Sequence, residues 1–259
     1  MSQDSSFHGN FVWYELMTTA PQEALDFYGK LIGWTHMTDD VAGMPYTMVV
    51  NGERPIAGVM ELPAEAIEAG APSHWLGYVG VEDVDATVAK AEAAGSTVVV
   101  AAMDVPNVGR MAVLHDPQGA VVAVFRPEGD DMSAPAAPGA GDFSWHEMLA
   151  DDWEKAWSFY SDWVGFEAGE TMDMGEAGKY HMFHAGGRPL GGMYNKPAEV
   201  QGPSAWLYYV TVENLDDAVA RVAELGGQVL VGPIEVPGGD HIAQCMDPQG
   251  AAFALHQVG

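Results

Sequence analysis

The chain is written twice. Gly9 falls on Gly141, Trp13 on Trp145, Glu15 on Glu147, and the pair Phe27-Tyr28 on Phe159-Tyr160. Further on, "RPIAGVM" from Arg54 matches "RPLGGMY" from Arg188, "WLGYVGVE" from Trp75 matches "WLYYVTVE" from Trp206, and "DPQGA" at Asp116 returns at Asp247. A repeat this long is a duplicated domain and not the short period of a solenoid, so one fold has to serve both halves. The stretch between the copies, "PEGDDMSAPAAPGAG", is Pro, Ala, Gly and acid and has little to bury. The expected division is a first domain over residues 1–127, a linker over 128–141 and a second domain over 142–259.

Each copy alternates strand and helix. "FVWYEL" has strand composition, and "TTAPQEALDFYGKLIGW" predicts a helix with Thr19 and Gln22 at its start, an apolar stripe of Ala24, Phe27, Tyr28 and Leu31, and a stop at Gly33. The second copy uses Asp151 and Glu154 as the start and Gly165 as the stop. Short β-rich runs follow, and the order then recurs as strand "WLGYVGV", helix "DVDATVAKAEAAG" and strands "STVVVAA", "GRMAVLHD" and "AVVAVFR". The predicted fold class is α+β: two tandem domains, each of two βαβββ modules forming a partly open, barrel-like sheet around a cavity with helices outside.

Ten basic residues stand against 37 acidic ones, a net charge of -27, and the Lys and Arg form no cluster. Such a chain repels phosphate backbones and anionic lipid, so nucleic acid and membrane are not expected as partners. No apolar run approaches the roughly 20 residues of a membrane span. A single cysteine, Cys245, and a start, "MSQDSS", without the features of a secretory signal point to the cytoplasm. The expected partner is a small molecule, and the expected assembly is a two-domain monomer or a homodimer.

The segments "ALDFYGKLIGW", "AWSFYSDWVGF", "VEDVDATVAKAEAAG", "VENLDDAVARVAELGG" and the two "DPQGA" turns resemble the vicinal oxygen chelate superfamily, which includes glyoxalase I, extradiol dioxygenases and bleomycin resistance proteins. The resemblance covers nearly the whole chain. It implies a metal held by a first-strand histidine, a second histidine and a closing glutamate. Here those positions carry Trp13 and Trp145, Leu76 and Leu207, and Ala123 and Ala254; only Met60 or Glu61, and Tyr194 or Asn195, could still supply a ligand. No family metal site is therefore expected, and no cofactor, with iron, zinc, manganese or nickel the lesser reading. A site outside the family pattern could use His146, His256 and Glu147.

If Trp13 faces the cavity, strand alternation places Phe11 and Glu15 beside it, with Trp145 and Glu147 following by the repeat. Glu15 and Glu147 are the candidate catalytic acid/base groups, and Trp13, Tyr78, Phe125, Trp145, Tyr209 and His256 the candidate pocket. A repeated Glu could equally hold a backbone amide. His146 points to the helix side, Cys245 reads as structural, and the sequence alone supports no Ser-His-Asp arrangement. The functional expectation, resting in part on the resemblance, is a glyoxalase-like or bleomycin-resistance-like protein binding a small, apolar or aromatic metabolite. A cavity Glu would serve a metal-independent isomerase or lyase step. The alternatives are a sequestering protein without chemistry, or a metal-dependent glyoxalase or dioxygenase with displaced ligands.

Overall fold

The computed structural model describes residues 7–41, 43–129 and 135–259. Residues 130–134 of the expected linker lie outside the described residues, as do residues 1–6, on which the expectation about a secretory signal rests. The first copy runs β1 (Phe11–Thr18), α1 (Pro21–Ile32), β2 (Thr35–Val41), β3 (Met44–Asn51), β4 (Arg54–Glu61), α2 (Ala64–Glu68), β5 (His74–Gly80), α3 (Val84–Ala93), β6 (Thr97–Val105), β7 (Gly109–His115) and β8 (Val121–Pro127). The second runs β9 (Phe143–Ala150), α4 (Trp153–Val164), β10 (Glu167–Asp173), β11 (Lys179–Ala185), β12 (Arg188–Asn195), β13 (Ala205–Thr211), α5 (Leu215–Glu224), β14 (Gln228–Glu235), β15 (His241–Met246) and β16 (Ala252–Gln257).

Two tandem α+β domains result, each with an eight-stranded mixed sheet, in the orders β2-β3-β4-β1-β5-β8-β7-β6 and β10-β11-β12-β9-β13-β16-β15-β14. Hairpin neighbours pair antiparallel, while β1 with β4 and β5 with β8 pair parallel, as the βαβ order requires. No helix among the described residues is long and apolar enough to cross a membrane.

Two helix starts differ from the sequence expectation. Ala20, not Thr19, precedes α1 and makes no side-chain cap; Pro21 opens the helix, where its missing N–H is lost at no cost. In α4 the cap is Asp152, one residue beyond Asp151, and its carboxylate accepts from the Lys155 amide at 3.2 Å. Both stops hold: Gly33 at φ 91° and Gly165 at φ 76° take the left-handed turn that ends a helix.

By packing, the described residues gather into two compact units, each drawing on both copies. One holds Gly77–Ala136 and Trp145–Trp206 with the chain up to Trp13; the other holds Tyr14–Leu76, Ala137–Ser144 and Leu207–Gly259. The repeated motifs lock each unit internally. In the second, Tyr28 of α1 donates its hydroxyl to Asp247 at 3.1 Å and accepts from the Trp75 indole at 2.9 Å, across 219 residues of chain. Asp247 also accepts the Gln249 and Ala251 amides, closing the "DPQGA" turn. The first unit repeats the device: Trp206 donates to Tyr160, Tyr160 to Asp116, and Asp116 accepts the Gln118 and Ala120 amides. Burial raises Tyr28 well above the ordinary tyrosine range, with the neighbouring Asp247 charge adding to it, so the tyrosine keeps its proton and acts as donor. These residues are the framework that aligns the inner strands, and sequence reading treated them only as landmarks.

Candidate functional site

The glutamates of β1 and β9 each sit opposite a glycine. Glu15 is in register with Gly58 on β4, and Glu147 with Gly192 on β12. Beyond the glycine strand, a tyrosine folds back over the bare backbone. Tyr46 of β3 donates its hydroxyl to Glu15 Oε2 at 2.8 Å, and Tyr180 of β11 donates to Glu147 Oε2 at 3.2 Å. In the second copy the chain is longer, because Trp145 Nε1 donates to the Tyr180 hydroxyl at 2.8 Å. Glu15 is 4% exposed and Glu147 7%. Each pair lies within one compact unit, Glu15–Tyr46 in one and Trp145–Tyr180–Glu147 in the other.

The glycines are a requirement of this geometry. A Cβ on Gly58 would overlap the Tyr46 hydroxyl, and one on Gly192 would overlap the Tyr180 ring. Gly192→Ala is accordingly expected to force Tyr180 off Glu147 and to destabilise the fold by about 1–3 kcal/mol, the usual cost of overpacking. Urea unfolding measures the loss, and Trp145 fluorescence reports the broken indole bond.

The other expected pocket residues divide between the units. In the first, Tyr78 is in register with Ala123 and Phe125 with Gly80 and Met111, and Phe125 lies against Gly109, where a Cβ would press on its ring. Trp13 is half-buried at the end of that unit's first segment. In the second unit Tyr209, 2% exposed, accepts from Gln244 Nε2 at 3.0 Å. Phe11 differs from expectation. It stacks on His146 at 4.2 Å and meets Trp206 edge-on at 5.3 Å, in the cluster beneath α4, because burying the ring among aromatics outweighs strict alternation at the strand's first residue.

A Ser-His-Asp set that the sequence alone could not support comes together in the second copy. Ser144 Oγ lies 2.9 Å from His256 Nδ1, and His256 Nε2 lies 3.0 Å from Asp240 Oδ2. The three come from β9, β16 and the turn before β15, which no local motif in the sequence connects.

His146 is buried, with Nδ1 2.7 Å from the Leu190 carbonyl oxygen, and burial pulls its pKa down to about 4. In the unfolded chain it titrates near 6.5. A base whose folded pKa is depressed stabilises the fold above the unfolded value and loses that contribution as pH falls to the folded one. Stability should therefore drop between about pH 6.5 and pH 4, by up to about 3 kcal/mol from this group. Urea midpoints across that range should fall in the wild type and flatten in His146→Phe.

The resemblance implies a metal, and the residues do not fit one. At the implied ligand positions stand Leu76, Ala123, Leu207 and Ala254, all buried and without donors, beside the two tryptophans. Asn195 Oδ1 accepts the Trp153 amide, and His146 is enclosed in its aromatic stack. Among the described residues no group of three or more His, Cys, Asp or Glu side chains is placed to hold a metal ion. Cys245 is buried on β15 with its thiol pushed up to about 12 by desolvation, an inert position. Arg110 is held on the surface by Asp85 at 2.7 Å and Asp104 at 2.9 Å.

Two tandem domains, each of paired βαβββ modules, define a duplicated scaffold of the glyoxalase kind, and here the first strand of each domain carries a tyrosine-held carboxylate. The family model described as Glyoxalase/Bleomycin resistance protein/Dioxygenase superfamily matches residues 10–124 and 143–255, and the chain belongs to that superfamily. A Mycobacterium tuberculosis protein bearing the name "Putative glyoxylase CFP32" is 44% identical over 120 residues, covering 46% of this chain and 44% of that protein, less than half of each. The anthracycline biosynthesis protein DnrV of Streptomyces peucetius is 30% identical over 257 residues, covering 95% of this chain and 92% of that one. Among solved structures, the Mn(II)-bound glyoxalase of Novosphingobium aromaticivorans matches with a TM-score of 0.64 at 14% identity, covering 96% of this chain and 82% of that one. The 2,2',3-trihydroxybiphenyl 1,2-dioxygenase of Sphingomonas wittichii matches with a TM-score of 0.65 at 18% identity, covering 97% and 90%. At such identities the structural likeness concerns the fold alone.

Proposed function

We propose that this protein binds a small, apolar or aromatic metabolite and that Glu147 moves a proton on it without the family metal, in an isomerase or lyase step. The observation that carries this reading is the Trp145–Tyr180–Glu147 chain of hydrogen bonds. Burial first, and then the Glu147 charge, raise the Tyr180 hydroxyl well above its ordinary range, so Tyr180 stays a neutral donor that fixes the carboxylate's orientation. A carboxylate held this way can take a proton from a carbon next to a carbonyl. The C–H bond breaks, its electron pair moves into an enolate, and the same carboxyl returns the proton to another atom or assists a leaving group. No redox partner is needed. Glu15 with Tyr46 is the same device in the first copy.

Full-length similarity to a protein named for anthracycline biosynthesis favours a polycyclic aromatic substrate. The binding experiment is titration with 2-hydroxyanthraquinone, read by tryptophan fluorescence. Saturable quenching that weakens at least tenfold in Trp145→Ala supports the reading, and no quenching overturns it.

A further inference from the structure

The two copies are unequal at four matching positions around a shared tyrosine. Where the first has Val12, Gly109, Val113 and Phe125 beside Tyr78, the second has Ser144, Asp240, Gln244 and His256 beside Tyr209. In the first copy Phe125 lies against the bare Gly109 backbone. In the second the same positions form hydrogen bonds: Ser144 to His256, His256 to Asp240, and Gln244 to Tyr209. All five lie in one compact unit. A polar set of this kind replaces an apolar one without any change of fold, so it answers to something other than packing.

The hydrogen-bond polarity is fixed from one end. The Gly259 amide donates to Asp240 Oδ1 at 2.9 Å, and that bond above all holds Asp240 below the usual carboxylate range. An ionised Asp240 can only accept, so His256 Nε2 carries a proton, and in the neutral imidazole Nδ1 has none. Ser144 must then donate its single hydrogen to Nδ1, which leaves the Ser144 oxygen as an acceptor. Its partner has to bring a hydrogen of its own. His256 is 14% exposed and Asp240 37%, so the relay runs from a half-buried hydroxyl to a carboxylate that meets solvent.

We infer that Ser144, His256 and Asp240 form a proton relay that receives the acidic hydroxyl of a ring-borne phenol or enol, and that only the second copy has it. This rests on the reading of the chain as an aromatic-ligand protein, but not on chemistry at Glu147. In the transfer the ligand O–H bond breaks, its proton passes to Ser144 Oγ, and the serine hands its own proton to His256 Nδ1. The products are a phenolate or enolate and an imidazolium paired with Asp240. No electrons change hands.

The test uses the visible spectrum of 2-hydroxyanthraquinone bound to the intact protein, at a pH where the free compound is still protonated. The expected result is a bound band at the phenolate position in the wild type and in Glu147→Gln. His256→Phe and Ser144→Val, which copy the first domain's residues, should keep the band of the protonated form when saturated with the compound. Asp240→Asn should lose most of the shift, which covers the case in which one of the other variants fails to fold. A wild-type complex without the shift, or a shift that survives in His256→Phe and Ser144→Val, overturns the relay alone. No binding by the wild type overturns the aromatic-ligand reading and the relay with it.

Discussion

Glu147→Gln is expected to lower proton exchange on a carbon acid by 10²- to 10⁴-fold while leaving ligand affinity within a few-fold of wild type. The range is the usual contribution of a positioned acid/base group, about 3–5 kcal/mol of barrier. Glutamine keeps the shape and can still accept the Tyr180 hydroxyl through its carbonyl oxygen, so the 3.2 Å contact and the Trp145 bond behind it have no reason to move. What it loses is the ability to hold a proton. The measurement is deuterium uptake from D2O by 2-tetralone, an aromatic ketone with exchangeable hydrogens beside its carbonyl, followed by NMR above the uncatalysed background. Glu15→Gln, tested the same way, separates the two copies. Exchange unchanged in both variants, with binding intact, would leave sequestration without chemistry as the better account.

The second large effect concerns the framework. Asp247→Ala removes an acceptor shared by Tyr28 Oη, the Gln249 amide and the Ala251 amide, all of them buried or half-buried. Leaving such donors unmet costs about 1–3 kcal/mol each, and because one collapse relieves several of them the sum should be about 3–5 kcal/mol. For a chain of this size that lowers Tm by about 10 °C. Asp116→Ala should do the same through Tyr160 in the other unit. Calorimetry of both variants is the check. A shift under about 2 °C in either would mean that the aspartate closes its own turn and does not join the two copies.

The duplication made the architecture legible, because each copy's weak signals were written a second time. The order of strands and helices along the chain, the glycine stops at Gly33 and Gly165, and the matching of Glu15 with Glu147 all followed from laying one half over the other. What the repeat hid was the packing across it. Tyr28 and Asp247 are 219 residues apart, and no periodicity announces that the last turn of one copy holds the first helix of the other. A signal was present: both residues are identical in both copies, although neither lies on a strand face. The tyrosines Tyr46 and Tyr180 escaped for a different reason. They reach their glutamates across an intervening strand, and only the paired glycines Gly58 and Gly192 betray the passage. The Ser144–His256–Asp240 chain was legible only as a difference between the copies, and reading for likeness passes over differences.

On the proposed reading the carboxylates work without the superfamily's metal, since buried leucine and alanine occupy four of the six implied ligand positions and tryptophan the other two. The most direct test is elemental analysis by mass spectrometry of protein purified without chelator and without nickel resin. Iron, zinc, manganese and nickel are all expected far below one equivalent per chain. Near-stoichiometric content of any of them would contradict that reading and return the chain to metal-assisted chemistry with displaced ligands.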